Sequence, residues 1–406
     1  MSADPPARVD AERSERACLV ALASVGGIGP ATLLACLTTV GAPEAWAAVR
    51  AGASLEIGPL ADAARRLDAA TGARQLAAAA ARLDPESVLA RHEAAGQQVV
   101  VFGRRGYPAR LEGDPSPPAV LFAEGSLEAL TGPTVAVVGT RNATRLGCDT
   151  ASLLAIGLVD AGVSVVSGLA LGIDGAAHQA VIEATAGAGD DGIGRPIGVV
   201  ASGLDRPYPR RHQLLHRQVT ARGAVLTETP IGTAPLPWRF PARNRIIAGI
   251  SDAVIVVESR SAGGSMLTAA EALARDVPVL AVPGHPTAAA SAGALDLIFD
   301  GAAPVRDVDD VLVAIGRGGQ KLGRRDPPPS GGAAESVLTA EATRVLDDLT
   351  ANPRTLGELV ASRAADLEVV AGALVELEQR GLVARSGPWF ERIGPSGRPG
   401  QQGSRP

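Results

Sequence analysis

Hydrophobic positions in this chain follow two different periods. Between about residues 96 and 315, short runs that are apolar almost throughout alternate with stretches of helical spacing. The runs are "QVVVF", "TVAVVG", "VSVVSG", "PIGVVAS", "AVLTE", "DAVIVVE" and "VPVLAVPG". Val-rich runs without polar alternation predict strands covered on both faces, as in a parallel sheet. Their alternation with helices predicts βαβ units and a doubly wound α/β domain, drawn here as residues 86–315. Upstream, residues from about 14 to 85 are Ala- and Leu-rich with helical spacing, which predicts an N-terminal helical domain over 1–85. Residues 316–335, "GRGGQKLGRRDPPPSGGAAE", cannot build a core and predict a flexible linker. Beyond them, 336–395 reads as three helices and a short hairpin, the outline of a winged helix, followed by a disordered tail over 396–406.

Composition narrows the picture. The length suggests about two or three domains, and 46% apolar residues are enough for a sizeable core. The N-terminus is charged, and no run of about 18 strongly apolar residues occurs, so neither a signal peptide nor a membrane span is expected. Cys18, Cys36 and Cys148 are scattered and odd in number, which predicts reduced thiols and a cytoplasmic setting. A net charge of −5 argues against a general positive coat but permits a local basic cleft. Lys321 is the only lysine, so charged contacts to phosphate fall almost entirely to arginine.

Candidate chemistry lies in a few loops. "VAVVGTRNATRLG" (135–147) leads from a strand through Gly139, Thr140 and Arg141 into a helix, a form that can aim backbone N–H groups at an anion. Arg141 fits a ligand phosphate or a solvated loop position equally well. The dinucleotide fingerprint GxGxxG is absent, so no nicotinamide cofactor is expected. "VVSGLALGIDGAAHQAV" (165–181) sets Ser167, Gly168, Gly172 and Asp174 in a tight turn that allows close backbone approach to a ligand. Asp174 also reads as a helix N-cap, and His178 as a packed helix residue.

The densest basic cluster is "DRPYPRRHQLLHRQVTARG" (205–223), with Arg210 and Arg211 near Tyr208. "PLPWRFPARNR" (235–245) places Trp238 and Phe240 among Arg239, Arg243, Asn244 and Arg245. Three of the ten aromatic residues therefore lie beside these arginines. Guanidiniums hold phosphates in bidentate fashion, and rings stack on unpaired bases at about 1–3 kcal/mol per base. That pairing suits single-stranded nucleic acid; the plainer alternative is rings that anchor loops beside solvated arginines. In "ESRSAGGSMLTAAEALAR" (258–275), Gly263, Gly264, Ser265 and Thr268 lie at or near the start of a helix as a further anion cradle. Glu271 follows one turn on, as a catalytic carboxylate or a charge favourable to the helix dipole.

Two terminal features complete the reading. "LASVGGIGPATLLACL" (22–37) matches a helix-hairpin-helix pattern in which Gly26, Gly27 and Gly29 turn backbone amides toward a phosphate, although a plain structural turn has the same form. The third helix of the C-terminal module carries Asp366, Glu368, Glu376 and Glu378 against Arg380. A helix entering a DNA groove attracts phosphates, so this module reads as a protein-contact or regulatory unit.

Taken together, "GYPARL", "DPSPPAVLF", "VAVVGTR", "VSGLALGID", "YPRRHQLL", "LTETPIG", "FPARNRIIAG", "VVESRSAGGSMLTAAEA" and "VPVLAVPG" resemble the DNA-processing protein A family, also called Smf. The resemblance covers about 105–302. It implies an extended Rossmann-like core that binds single-stranded DNA, forms a homodimer and loads the recombinase RecA during natural transformation. Many members of that family also have an N-terminal helical domain of helix-hairpin-helix or SAM-like type and a C-terminal winged helix. By motif, Arg141 matches the family's G-[ST]-R turn, Ser167 to Asp174 its S-G-x-A-x-G-I-D turn, and Arg243, Asn244 and Arg245 its R-N-R. Gly264, Ser265 and Thr268 match S-G-S-x-x-T, with Gly263 in place of a serine. In "SAGALDLIFDGA" (291–302), Ala294 and Leu295 replace a small hydroxyl residue and an amide. The resemblance implies a non-catalytic binding protein without cofactor or metal. The alternative is an enzyme like the nucleoside-monophosphate phosphoribohydrolases, with Glu271 and Arg243 or Arg245 catalytic, or a nucleotide sensor using the same cradle.

Overall fold

The Val-rich runs form the middle of a nine-stranded sheet. In chain order its strands are β1 (Gln98–Val101), β2 (Val120–Gly125), β3 (Thr134–Val138), β4 (Ser164–Ser167), β5 (Pro196–Val199), β6 (Ala224–Thr227), β7 (Ala253–Val256), β8 (Val279–Ala281) and β9 (Ala303–Pro304). Their spatial order is β1-β2-β6-β5-β4-β3-β7-β8-β9. Neighbours from β6 to β9 are parallel, whereas β2 pairs antiparallel with both β1 and β6. The chain is described here by a computed structural model over residues 5–186, 193–318, 338–349, 354–363, 366–380, 382–386 and 388–392. Most of the predicted linker and all of the predicted tail lie outside those residues.

Fourteen helices accompany the sheet among the described residues of the first of two compact units, residues 1–324. α1 (Pro5–Ala23), α2 (Pro30–Thr39), α3 (Ala42–Ala51), α4 (Gly58–Leu67), α5 (Gly72–Ala80) and α6 (Pro85–Ala94) precede it. α7 (Ala109–Glu112), α8 (Arg145–Asp160), α9 (Ile173–Ala184), α10 (Gln213–Arg222), α11 (Arg239–Gly249), α12 (Gly264–Leu273), α13 (Ala292–Phe299) and α14 (Val308–Ala314) are interleaved with the strands. Side chains alternate across the sheet, as strand geometry requires. Val135, Val137, Ala253 and Ile255 pack with α8, α9 and α14, while Ala136, Val138, Val254 and Val256 pack with α11, α12 and α13. Both faces are thus covered, which is why the central strands carry no polar alternation.

The N-terminal helices share a core with the antiparallel end of the sheet. Leu19, Leu22, Val49, Leu60 and Leu89 form one cluster with Val99, Val101, Phe122 and Val225. Burying each such side chain contributes about 1.5–3 kcal/mol, so these helices and the sheet stabilise one another.

The second unit, residues 325–406, has its own core. α15 (Ala340–Asp348), α16 (Leu356–Arg363) and α17 (Leu367–Gln379) surround Val345, Leu359, Val370, Leu377 and Phe390. β11 (Val383–Ser386) and β12 (Trp389–Arg392) pair as a hairpin, and β10 (Arg354–Thr355) adds to β12. Thr339 caps α15 through Ala342 N and donates its hydroxyl to Glu376 (2.7 Å), tying the start of α15 to α17. Across the described residues of both units, no single helix is long and apolar enough to cross a membrane.

Two buried histidines link the packing of the first unit to pH. Burial pushes His178 and His216 from 6.5 down to about 4, and one ring nitrogen of each has no hydrogen-bond partner. Between those values the unfolded chain binds protons that the folded chain does not. Their contribution is therefore complete above about pH 6.5 and is lost as pH falls toward about 4. The unfolding free energy is expected to fall through this window, and the slope in His216→Gln should be shallower by about one proton. Equal slopes in urea titrations of the two proteins would contradict this assignment.

Candidate functional site

β3 is the strand from which the chain winds in both directions: β4, β5 and β6 lie to one side, and β7, β8 and β9 to the other. In open α/β sheets this reversal leaves a crevice at the C-terminal strand ends where ligands bind. Here it holds a cavity of about 630 Å³. The β3 loop contributes Gly139, Thr140 and Arg141, α9 contributes Asp174, and Tyr208 comes from the basic segment. Phe240, Arg243 and Asn244 of α11 and Arg260, Gly263, Gly264, Ser265 and Thr268 around the start of α12 complete it.

Whether this crevice takes an anion depends on its helix N-termini. α8 follows β3 and was the first anion cradle expected from sequence. Glu258, just beyond β7, occupies it instead: its carboxylate accepts from Thr144 N (2.9 Å) and Thr144 Oγ1 (2.5 Å). A Cβ on Gly147 would lie 2.3 Å from the Glu258 carboxyl carbon. The protein's own carboxylate thus sits at the start of α8, while Gly139, Thr140 and Arg141 of the same segment line the cavity.

The 167–174 turn also holds a carboxylate of the chain, although the N-cap of α9 is Gly172 and not Asp174, which lies in the first helical turn. Asp174 accepts from Gly168 N (3.0 Å) and Ala170 N (3.4 Å). Ser167 is buried and donates to the Val137 carbonyl (2.7 Å). Gly172 has φ 75°, and a Cβ there would lie 2.2 Å from the Thr140 carbonyl oxygen. Ser167, Gly168 and Gly172 thus brace the cavity from behind without lining it.

α12 is different. Its N-cap is Gly263, no side chain caps it, and Gly264 is exposed with open space where a Cβ would stand. Met266 N donates to the Gly263 carbonyl (3.1 Å); the N–H groups before it have no intrahelical acceptor, and the helix dipole makes this end positive. The starts of α9 and α11 also lack a side-chain cap, but α9 carries Asp174 in its first turn, whereas α12 has no acidic residue there. Ser265 is buried and donates to Ser259 Oγ (2.8 Å), which fixes the start of the helix.

Above this seat lie an aromatic ring and a guanidinium. Arg141 is exposed and sits over the Phe240 ring at 5.0 Å, and Tyr208 lies 5.6 Å from the same ring. Phe240, Arg243, Asn244 and Ile247 all line the cavity, as a 3–4 spacing on one helix face allows. Asn244 is 7% exposed, its Nδ2 3.5 Å from the Gly264 carbonyl. Arg243 is also 7% exposed and donates to the carbonyls of Gly168 (3.1 Å) and Val199. Burial lowers it to about 10, with the nearby Asp174 carboxylate opposing, while burial pushes the Asp174 carboxyl up.

Besides Ser167, Gly168 and Gly172, four further candidate residues lie outside the cavity. Arg245 faces away from it, donating to Glu228 and to the Ser116 carbonyl (2.9 Å). Arg210 and Arg211 stand exposed on the 3-10 turn Arg210–His212. Trp238 borders a separate small cavity, with Arg239 over its ring at 4.8 Å. Glu271 likewise lies outside, paired with Arg275 (2.5 Å), which also holds Asp114 (2.7 Å). Arg260, which lines the cavity, was not singled out from the sequence; its place just before the "SAGGS" turn was the available signal. Among the described residues no group of three His, Cys, Asp or Glu side chains could hold a metal ion.

Comparison with known proteins now bears on this geometry. Residues 98–316 match the family described as DNA recombination-mediator protein A. Protein Smf of Synechocystis is 32% identical over 333 residues, covering 75% of this chain and 82% of that protein. The DNA processing protein DprA of Bacillus subtilis is 38% identical over 226 residues, or 55% of this chain and 73% of its own. The X-ray structure of DNA processing protein A from Streptococcus pneumoniae superposes with a TM-score of 0.58 at 30% identity, covering 72% of this chain and 95% of that one. The chain belongs to the DNA recombination-mediator protein A family.

The family match contains every residue that lines the cavity, and α1 to α6 precede it. Membership brings a role related to DNA processing and recombination. Within the family match, the geometry separates arginines that hold the fold from arginines that face solvent. Arg245→Ala leaves Glu228 buried without its partner and is expected to cost about 3 kcal/mol of unfolding free energy. Arg141→Ala, at an exposed position, should stay within about 0.5 kcal/mol. Equal losses in chemical denaturation would contradict this division.

Proposed function

We propose that the protein is a non-catalytic mediator that binds single-stranded DNA in the switch-point cavity and loads RecA onto it. The observation that carries this reading is the uncapped N-terminus of α12 facing Arg141 and Phe240. The helix end offers a phosphate seat, the guanidinium offers a second charged contact, and the aromatic ring offers a face for an unpaired base. Neither partner for the base depends on its identity, so binding tolerates sequence. Family membership supports the recombination role, the homodimer, the cytoplasmic setting and the RecA partnership.

The terminal regions take supporting roles in this reading. α1 and α2 joined by the glycine turn form a helix-hairpin-helix of SAM-like type. The second unit, with three helices and a three-stranded sheet, is a winged helix. Its acidic third helix suits a protein contact better than a DNA groove. The hydrolase alternative needs Glu271 at the ligand, whereas that carboxylate is paired with Arg275 outside the cavity. The non-catalytic reading is therefore favoured.

Fluorescence anisotropy tests the proposal directly. A mixed-sequence single strand is expected to bind more tightly than its duplex and than AMP, and to weaken steeply with salt. Arg141→Ala should weaken all sequences alike and reduce the log–log salt slope by about 0.7, the value for one phosphate contact on a single strand. An unchanged slope would refute the cavity as the phosphate site. Tight AMP binding with weak DNA binding would favour the nucleotide sensor.

A further inference from the structure

The first turn of α11 has two sides. Phe240 faces the large cavity, while Trp238, Arg239 and Ala242 face a second cavity of about 60 Å³, shared with Ile28, Gly29 and Pro30 of the α1–α2 turn. Arg243 lines both. The Nε atoms of Arg239 and Arg243 are buried at this junction without a hydrogen-bond partner, and Arg243 is 7% exposed. The glycine turn therefore adjoins the rim of the cavity.

This turn presents a positive helix end and an exposed arginine. α2 starts with Pro30 at its first position, has no side-chain cap and has no acidic residue in its first turn. Gly26 and Gly27 are exposed. Gly27 has φ 98°, and a Cβ there would strike Leu67 at 2.5 Å, whereas Gly26 has open space around it. Arg66, exposed at the end of α4, donates to Thr32 Oγ1 (2.9 Å) in that first turn. Between turn and cavity stands Trp238, 56% exposed. An exposed ring backed by a guanidinium, next to an uncapped helix end and the exposed Arg66, provides the stacking and charge that a nucleic-acid strand uses.

We infer that a single strand seated in the cavity continues over Trp238 to the Val25–Gly29 turn, where the Gly26 and Gly27 amides and Arg66 take a further phosphate. This rests on the reading of the cavity as a nucleic-acid site. The N-terminal helices then extend the binding surface, and affinity depends on strand length through them.

The test uses the full chain and two labelled thymidine oligonucleotides, a trinucleotide and one of about 12 nucleotides, within the usual range of single-strand sites. The trinucleotide reads the cavity; the longer strand reads cavity and turn together. Gly26→Glu places a carboxylate where nothing obstructs it and is expected to weaken the longer strand about tenfold while sparing the trinucleotide. Trp238→Ala should weaken the longer strand by about fivefold or more, the lower end of what one stacked base contributes. Arg66→Ala should reduce its salt slope by about 0.7. If the variants bind the longer strand like the parent, or weaken both lengths equally, the path over the turn is wrong. If the parent binds neither length, the cavity reading fails and this inference falls with it. Unchanged DNA binding by Trp238→Ala would leave that ring as a protein contact instead.

Discussion

A helix N-terminus in a partly desolvated crevice attracts whatever negative charge can reach it. In this protein the chain's own carboxylates already occupy two places at the switch point. Glu258 occupies the start of α8, and Asp174 gathers the amides of the turn before α9. In the proposed function the start of α12, which has no side-chain cap, is the place for the strand's phosphate. On that proposal the same carboxylates keep the strand's phosphates away from their own positions.

Other elements follow from that arrangement. Asp174 lies beside Arg243, whose guanidinium is anchored to the carbonyls of Gly168 and Val199. Arg245, two residues on, is anchored to Glu228 just after β6. Together they fix α11 against the sheet from both sides, and the helix then holds Phe240 beside Arg141. The arginines of "FPARNR" thus divide their work. Those inside the helix position the aromatic ring, and in the proposed function the exposed Arg141 from another loop is the one that contacts the strand.

Part of this was legible in the sequence. The Val-rich runs reveal the parallel strands because a strand buried on both faces has no room for alternation. β2 lay outside those runs, and its antiparallel pairing with β1 and β6 is a long-range matter that no local period records. The structure brings Gly139, Thr140, Arg141, Asp174, Phe240, Arg243, Asn244, Gly263, Gly264, Ser265 and Thr268 to one cavity, together with Arg260, which the sequence did not single out. In a helix, residues two apart point in different directions, so Arg243 and Arg245 could not share one ligand. That much was available from spacing alone. Which of them met an acid depended on Glu228, and the filling of the α8 cradle depended on Glu258, more than a hundred residues away in sequence.

The central claim is that the start of α12 is the seat for the strand's phosphate. Gly264 is its first residue, exposed, with open space where a side chain would begin. Gly264→Asp would supply there the carboxylate that α8 already has, and an acid in a first turn favours the helix. The most direct measurement is single-strand affinity of this variant alongside its thermal stability. The account predicts an unchanged or raised melting temperature with single-strand binding lost at every length. Binding retained at the parent's affinity would contradict it.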